Sequence, residues 1–267
     1  MRVPLPVLAA AALAACAAPA PDAHIPPYAR VPYAALSRAS IVAIALREWR
    51  AFGMTVNDDA PGTAPPMAAE AKPERQPGLW QRVGDYWWLG LDRTRPEAGW
   101  TGRHDETGRE FPASADGGFP WSAAFISYVL RAAGAGARFP YAPAHWEYID
   151  AAKRAFDNGD HTALFVAAAP EAAAPQPGDL ICTGRGRAEG LRFAHLPAGP
   201  YPAHCDIVVG VEPGRIAVIG GNVGDGVTLK HVPVTAEGRL ATPDGTVLDA
   251  RYPWMAVLRL NAGLPGA

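Results

Sequence analysis

Apolar residues recur at helical spacing in four stretches of the first 160 residues, and short β-type runs follow. In the first stretch Ile41, Ile44, Ala45, Trp49 and Phe52 repeat every three to four positions and Gly53 follows as a stop, which predicts a helix over 37–52. Leu79 to Leu91 is the second, dense in Trp80, Tyr86, Trp87 and Trp88, as a core-packed helix would be. From Phe119 to Ala133, Trp121, Ala124, Phe125, Tyr128, Val129 and Ala132 form one apolar face, and Gly134 ends it. A fourth helix is expected over Ala144 to Phe156. The intervening segments 54–78 and 92–118 are rich in Pro, Gly and charge and read as surface loops.

After Pro175 the period changes. Asp179–Thr183, Asp206–Val211, Arg215–Ile219, Gly226–Leu229 and Trp254–Leu260 are short apolar runs, most of them separated by turn residues at hairpin spacing. Helices first and strands after is the α+β order, with helices on one side of an antiparallel sheet of about five strands.

The extreme N-terminus follows neither pattern. Met1-Arg2 is a short positive start, and the apolar run Leu5–Ala15 is too short to span a bilayer but has the length of a signal-peptide core. It ends in Leu13-Ala14-Ala15-Cys16, which resembles the lipobox of bacterial lipoproteins. That resemblance implies cleavage after residue 15, lipidation of Cys16 and a membrane anchor. Ala17 in the next position favours the outer membrane, facing the periplasm. Residues 16–32, with their Pro/Ala run, read as a stiff tether, and 33–262 as one domain. A net charge of −2 without a basic block argues against nucleic acid as a partner. No second long apolar run occurs.

Besides Cys16 the chain holds Cys182, in the first expected strand, and Cys205, at the start of the next. In an oxidising compartment they invite a disulfide. It would close a loop of roughly 22 residues and stabilise by about 3 kcal/mol. Two separate buried thiols are the alternative.

Three polar residues stand where chemistry is possible. Ser122 opens the most apolar helix, where serine is also a common cap, although Phe125 does not complete a capping box. His204 precedes a buried-looking strand, and Asn222 lies in the Gly220-Gly221-Asn222 turn, a usual place for asparagine. Each alone has an ordinary structural use. Their order, however, with Pro120-Trp121-Ser122-Ala123-Ala124-Phe125, then Pro177-Gly178-Asp179, then His204 through Gly210, resembles the papain-like CHAP and NlpC-type cell-wall amidases. Tyr86-Trp87-Trp88, Trp121-Ser122-Ala123-Ala124-Phe125 and His204-Cys205-Asp206 also resemble an uncharacterised family of bacterial lipoproteins in that superfamily.

The resemblance implies a papain-like fold, with Ser122 at the nucleophile position, His204 as general base and Asn222 orienting the imidazole. It implies peptidoglycan stem peptides, or an envelope protein, as the partner. Trp121, His145 and Trp146 are candidates to line a substrate groove. No cofactor or metal is implied, since His104-Asp105-Glu106 has no second ligand cluster at matching spacing.

The departure lies at the nucleophile. Cysteine, with a pKa of about 8.5, becomes a thiolate beside a helix end and His⁺. A serine hydroxyl ionises far higher, and a helix terminus supplies at most ~2 kcal/mol. Ser122 can therefore act only by losing its proton to a base during attack. Two functions remain open: a serine-dependent hydrolase of cell-wall peptides, or a non-catalytic binding module on a degenerate amidase scaffold. Cys205 is a poor substitute nucleophile, because adjacent strand residues point to opposite faces. Asp206 is either a core residue held by a hydrogen bond or a further site residue.

Overall fold

In the structure, a computed structural model, residues 35–63 and 67–261 are described. Cys16, the signal-peptide segment and the whole of the tether lie outside them. The four helices form where the apolar spacing places them: α1 Arg38–Ala51, α2 Leu79–Gly90, α3 Ser122–Ala132 and α4 His145–Asp157. Ser37 caps α1, its hydroxyl accepting from the Ser40 backbone while the Ser40 hydroxyl accepts from the Ser37 N–H. Among the described residues no helix is long and apolar enough to cross a membrane.

The strands are β1 Phe165–Ala168, β2 Leu180–Gly184, β3 Ala203–Glu212, β4 Arg215–Val223, β5 Gly226–Pro233 and β6 Trp254–Leu260. They form one antiparallel sheet in the order β1-β6-β2-β3-β4-β5. The fold is α+β with an open sheet of six strands, one more than the sequence suggests. The extra strand is β1, whose Phe-Val-Ala-Ala is short and half alanine, a residue depleted in strands.

Both faces of the sheet are covered. The main core packs Trp87, Trp121, Phe125, Leu130 and Ile149 of the helices against Leu180, Ile207, Ile219 and Leu258. A second cluster on Ile181, Val208, Val218 and Val257 is closed by Val234, Leu240 and Tyr252 from the segment before β6. Burial on two faces explains why the strands read as near-continuous apolar runs rather than strict alternation.

Segment 54–78 is more than a surface loop. The Asn57 N–H donates to Leu229 O and the Leu229 N–H donates to Thr55 O, so this stretch covers part of the β5 edge. The same segment delivers Glu74 to the interior. Cys182 and Cys205 face each other across β2 and β3, Cα to Cα 4.2 Å, and form a disulfide. The separate-thiol alternative is thereby excluded, and Cys205 has no free sulfur to act as a nucleophile.

Candidate active site

Ser122 is the first residue of α3, preceded by Trp121 in the capping position. It is 6% exposed. Its Oγ lies 2.7 Å from Nε2 of His145, the first residue of α4. One turn further along α4 the Tyr148 hydroxyl bonds the other ring nitrogen, Nδ1. Two helix N-termini thus meet at the serine, and their partial positive ends favour negative charge there.

A second imidazole stands beside the first. The rings of His145 and His204 lie 5.2 Å apart, centroid to centroid. His204 Nε2 is 3.1 Å from Asp206 Oδ1. The two residues are two positions apart on β3 and so share a face. The other carboxylate oxygen, Oδ2, is 2.9 Å from Lys230 Nζ, which crosses from β5. The lysine Nζ lies over Tyr252, 4.3 Å from its ring centroid. His204, Asp206 and Lys230 are all buried.

The charge states follow from these contacts. Burial raises the Asp206 carboxyl, but Lys230 and His204 more than reverse this and hold it below the usual carboxylate range. Burial lowers His204 and outweighs the opposing pull of Asp206, so the ring is neutral at pH 7. A neutral imidazole facing a carboxylate must give it an N–H. His204 Nε2 therefore carries the proton, and Nδ1 keeps a lone pair. That Nδ1 is buried and has no hydrogen-bond partner among the described residues. Burial, then the neighbouring His204, pushes His145 well below its ordinary value, so it too is neutral. Burial pushes the Tyr148 phenol well above its ordinary value, so it keeps its proton.

Glycine makes the close approach possible. Ile207 pairs with Ile219, which sets Asp206 next to Gly220 of β4. A Cβ on Gly220 would fall 2.1 Å from Asp206 Oδ1 and 2.9 Å from His204 Nε2. One on Gly221 would meet the Phe125 side chain of α3 at 2.6 Å. The Gly-Gly pair thus serves close packing on both faces of β4.

The residues singled out in the sequence are placed as follows. Ser122 hydrogen-bonds His145, and His204 stands behind that histidine, ring beside ring, rather than on the serine. Asp206, not Asn222, holds the His204 ring. Asn222 stands at a register shift in β4 with φ 55°, and among the described residues no hydrogen bond joins it to His204. Its Gly-Gly-Asn setting reflects a bulge that asparagine tolerates. Trp121 does not line a groove, being 1% exposed and giving its indole N–H to Glu74 Oε2 at 2.6 Å. Trp146 is partly buried against the core. His145 belongs to the site itself. Tyr148 and Lys230 were missed. The i, i+3 spacing of His145 and Tyr148 on a helix is the one signal that could have found Tyr148, while Lys230 becomes visible only through sheet register. Among the described residues no group of three or more His, Cys, Asp or Glu side chains is arranged to hold a metal ion. His104 bonds Thr101 instead.

The family described as "Uncharacterized protein conserved in bacteria (DUF2272)" matches residues 74–260. The chain belongs to DUF2272. The matched stretch contains Ser122, His145, Tyr148, His204, Asp206 and Lys230, together with both cysteines of the disulfide. No curated protein and no solved structure matches the chain.

Proposed function

We propose that this DUF2272 protein is a serine-dependent hydrolase of amide bonds in peptidoglycan stem peptides, built on a papain-like scaffold of the CHAP/NlpC type. The observation that carries the reading is the His204 ring. Its Nε2–H is anchored on a charged Asp206, and its Nδ1 lone pair is left unpartnered in a buried site where the ring stands beside His145, the residue that bonds Ser122. A ring so anchored is held in the tautomer a general base needs.

The chemistry balances without a cofactor. Ser122 Oγ attacks the amide carbonyl carbon while its proton passes to His204 Nδ1. The resulting imidazolium is stabilised by Asp206. Backbone N–H groups at the start of α3 face the developing oxyanion. Collapse breaks the C–N bond, His204 returns the proton to the leaving amine, and an ester on Ser122 remains. Water hydrolyses that ester by the same base, regenerating the serine.

The reading includes lipid anchoring at Cys16 and a place on the outer membrane facing the periplasm. Leu13-Ala14-Ala15-Cys16 supports this. A surface so placed would reach stem peptides.

The tight burial of Ser122, and its bond to His145 rather than His204, favour a second reading: a non-catalytic module that binds cell-wall peptides or an envelope protein. Incubation of residues 17–267 with purified peptidoglycan, followed by mass spectrometry of the released fragments, separates the two. Fragments formed by the parent and lost in Ser122→Ala support the hydrolase and name the bond. Equal silence of parent and variant, with both sedimenting with peptidoglycan, supports the binding module.

A further inference from the structure

His145 is the one site residue whose role the triad logic does not supply. It is buried, it touches the Ser122 oxygen, and its far nitrogen is bonded to a phenol. Two arrangements of the protons are possible. In one, His145 Nδ1–H donates to the Tyr148 oxygen and Nε2 accepts from Ser122. The Tyr148 hydroxyl proton is then left without an acceptor, at 1% exposure, since His145 is its only hydrogen-bond partner among the described residues. In the other, the phenol donates to Nδ1, and Nε2–H donates to Ser122 Oγ. The serine proton is then left to find an acceptor, but at 6% exposure against 1% for the phenol. A fully buried donor without a partner costs about 1–3 kcal/mol, and the serine hydroxyl, the one of the two that solvent reaches, bears less of that cost, so the second arrangement prevails.

We propose that His145 is the electrophilic residue of the site: Tyr148 locks it in the tautomer with the proton on Nε2, and from there it donates to the oxygen at Ser122 and to the oxyanion that forms on the adjoining carbonyl. Tyr148 is a positioning residue that acts through His145. The two histidines divide the work, His204 as base through a free lone pair and His145 as donor through a fixed N–H. A neutral imidazole can fill such a role because burial keeps it from charging. This inference rests on the hydrolase reading for its catalytic part but not for its tautomer.

The test uses the full chain in detergent with ¹⁵N-labelled histidine. Two-bond ¹H–¹⁵N spectra at pH 7.5 report which ring nitrogen is protonated, and the His145→Gln variant assigns the signal. The lone pair is expected on His145 Nδ1, and Tyr148→Phe is expected to release the lock and shift the proton toward Nδ1. A parent His145 protonated on Nδ1 overturns the proposal. In peptidoglycan hydrolysis, His145→Ala is expected to lower kcat about 10²–10³-fold with little change in KM, the range for a lost oxyanion donor. His145→Gln, which keeps an N–H donor, should recover at least tenfold of that loss. Equal loss in both variants, with both folded by circular dichroism, overturns the donor role. Absence of fragments from the parent ends the hydrolase reading and the oxyanion role with it, whereas the spectra judge the tautomer in either case.

Discussion

Gly220 leaves the space through which Asp206 reaches the His204 ring. A Cβ there would sit 2.1 Å from the carboxylate oxygen that holds the imidazole. Gly220→Ala is therefore expected to separate the pair and destabilise the fold by about 1–3 kcal/mol, the usual range for an overpacked interior. Gly210→Ala on the neighbouring strand is the control, since its Cβ would meet only Ala217 at an ordinary 3.6 Å. Urea titration of the two variants checks the difference. Equal midpoints would mean that β4 yields at no cost and that the pair does not depend on glycine.

Lys230 is expected to matter through Asp206. Lys230→Met keeps an unbranched side chain of similar length but removes the ammonium from both Asp206 and the Tyr252 ring, leaving the carboxylate buried with His204. Removing one partner of a buried ion pair typically costs about 3–5 kcal/mol. Because Asp206 is held below its ordinary value, its ionisation adds stability above the unfolded value of 3.8, and that stability is lost as the pH falls through the folded value. Without Lys230 that loss should begin at higher pH. Acid titration of parent and variant followed by tryptophan fluorescence measures both effects, and superimposable acid transitions would contradict the assignment.

Glu74 sets a pH dependence of opposite sign. Burial, reinforced by Asp225 and Asp116, pushes its carboxyl from 4.5 up to about 7, against the hydrogen bond from Trp121. The native state thus binds this proton more tightly than the unfolded chain does. The burial costs stability above about pH 7, and the cost fades as the pH falls toward 4.5. Over that interval it amounts to about 3 kcal/mol. Glu74→Gln, which keeps an acceptor for the Trp121 indole, should stabilise the protein at pH 8 by about 1–3 kcal/mol and change little at pH 5. Denaturant midpoints at the two pH values decide it. A variant effect independent of pH would place the carboxyl in one charge state throughout.

The disulfide holds the long connection between β2 and β3 to its root. Cys182 and Cys205 are separated by 23 positions, and closing such a loop is worth about 3 kcal/mol in the chain-entropy account. A Cys182→Ala/Cys205→Ala double variant should lose that amount, and added reductant should lower the melting temperature of the parent but not of the variant. Insensitivity of the parent to reductant under denaturing conditions would show that the bond does not form.

The helices were legible because each buries one stripe, and residues such as Ile41, Ala45, Phe125 and Val129 repeat that stripe along the chain. The longer strands were legible from their apolar runs and turns. β1 was not, since four residues with two alanines carry too little signal and gain their place only by pairing with β6. In the site, Ser122 and His204 stood out by their position at element starts. The sequence leaves Asp206 either in the core or in the candidate site, and the register of the strands sets it, buried, between His204 and Lys230. Asn222 was drawn in by a Gly-Gly-Asn turn whose glycines serve packing.

The pattern along the chain carries the helices and most strands, the α+β order, the cysteine pair as a candidate bridge, and a serine and one histidine of the candidate site. These are properties of local period and of residue type, and they are carried within a dozen neighbouring positions. Folding in three dimensions is what brings His145 to Ser122, sets Asp206 and Lys230 behind His204, and carries Glu74 from a loop to Trp121. Those contacts join residues up to 47 positions apart. They depend on strand register and on how two helix N-termini are brought together, and no local pattern in the chain records either.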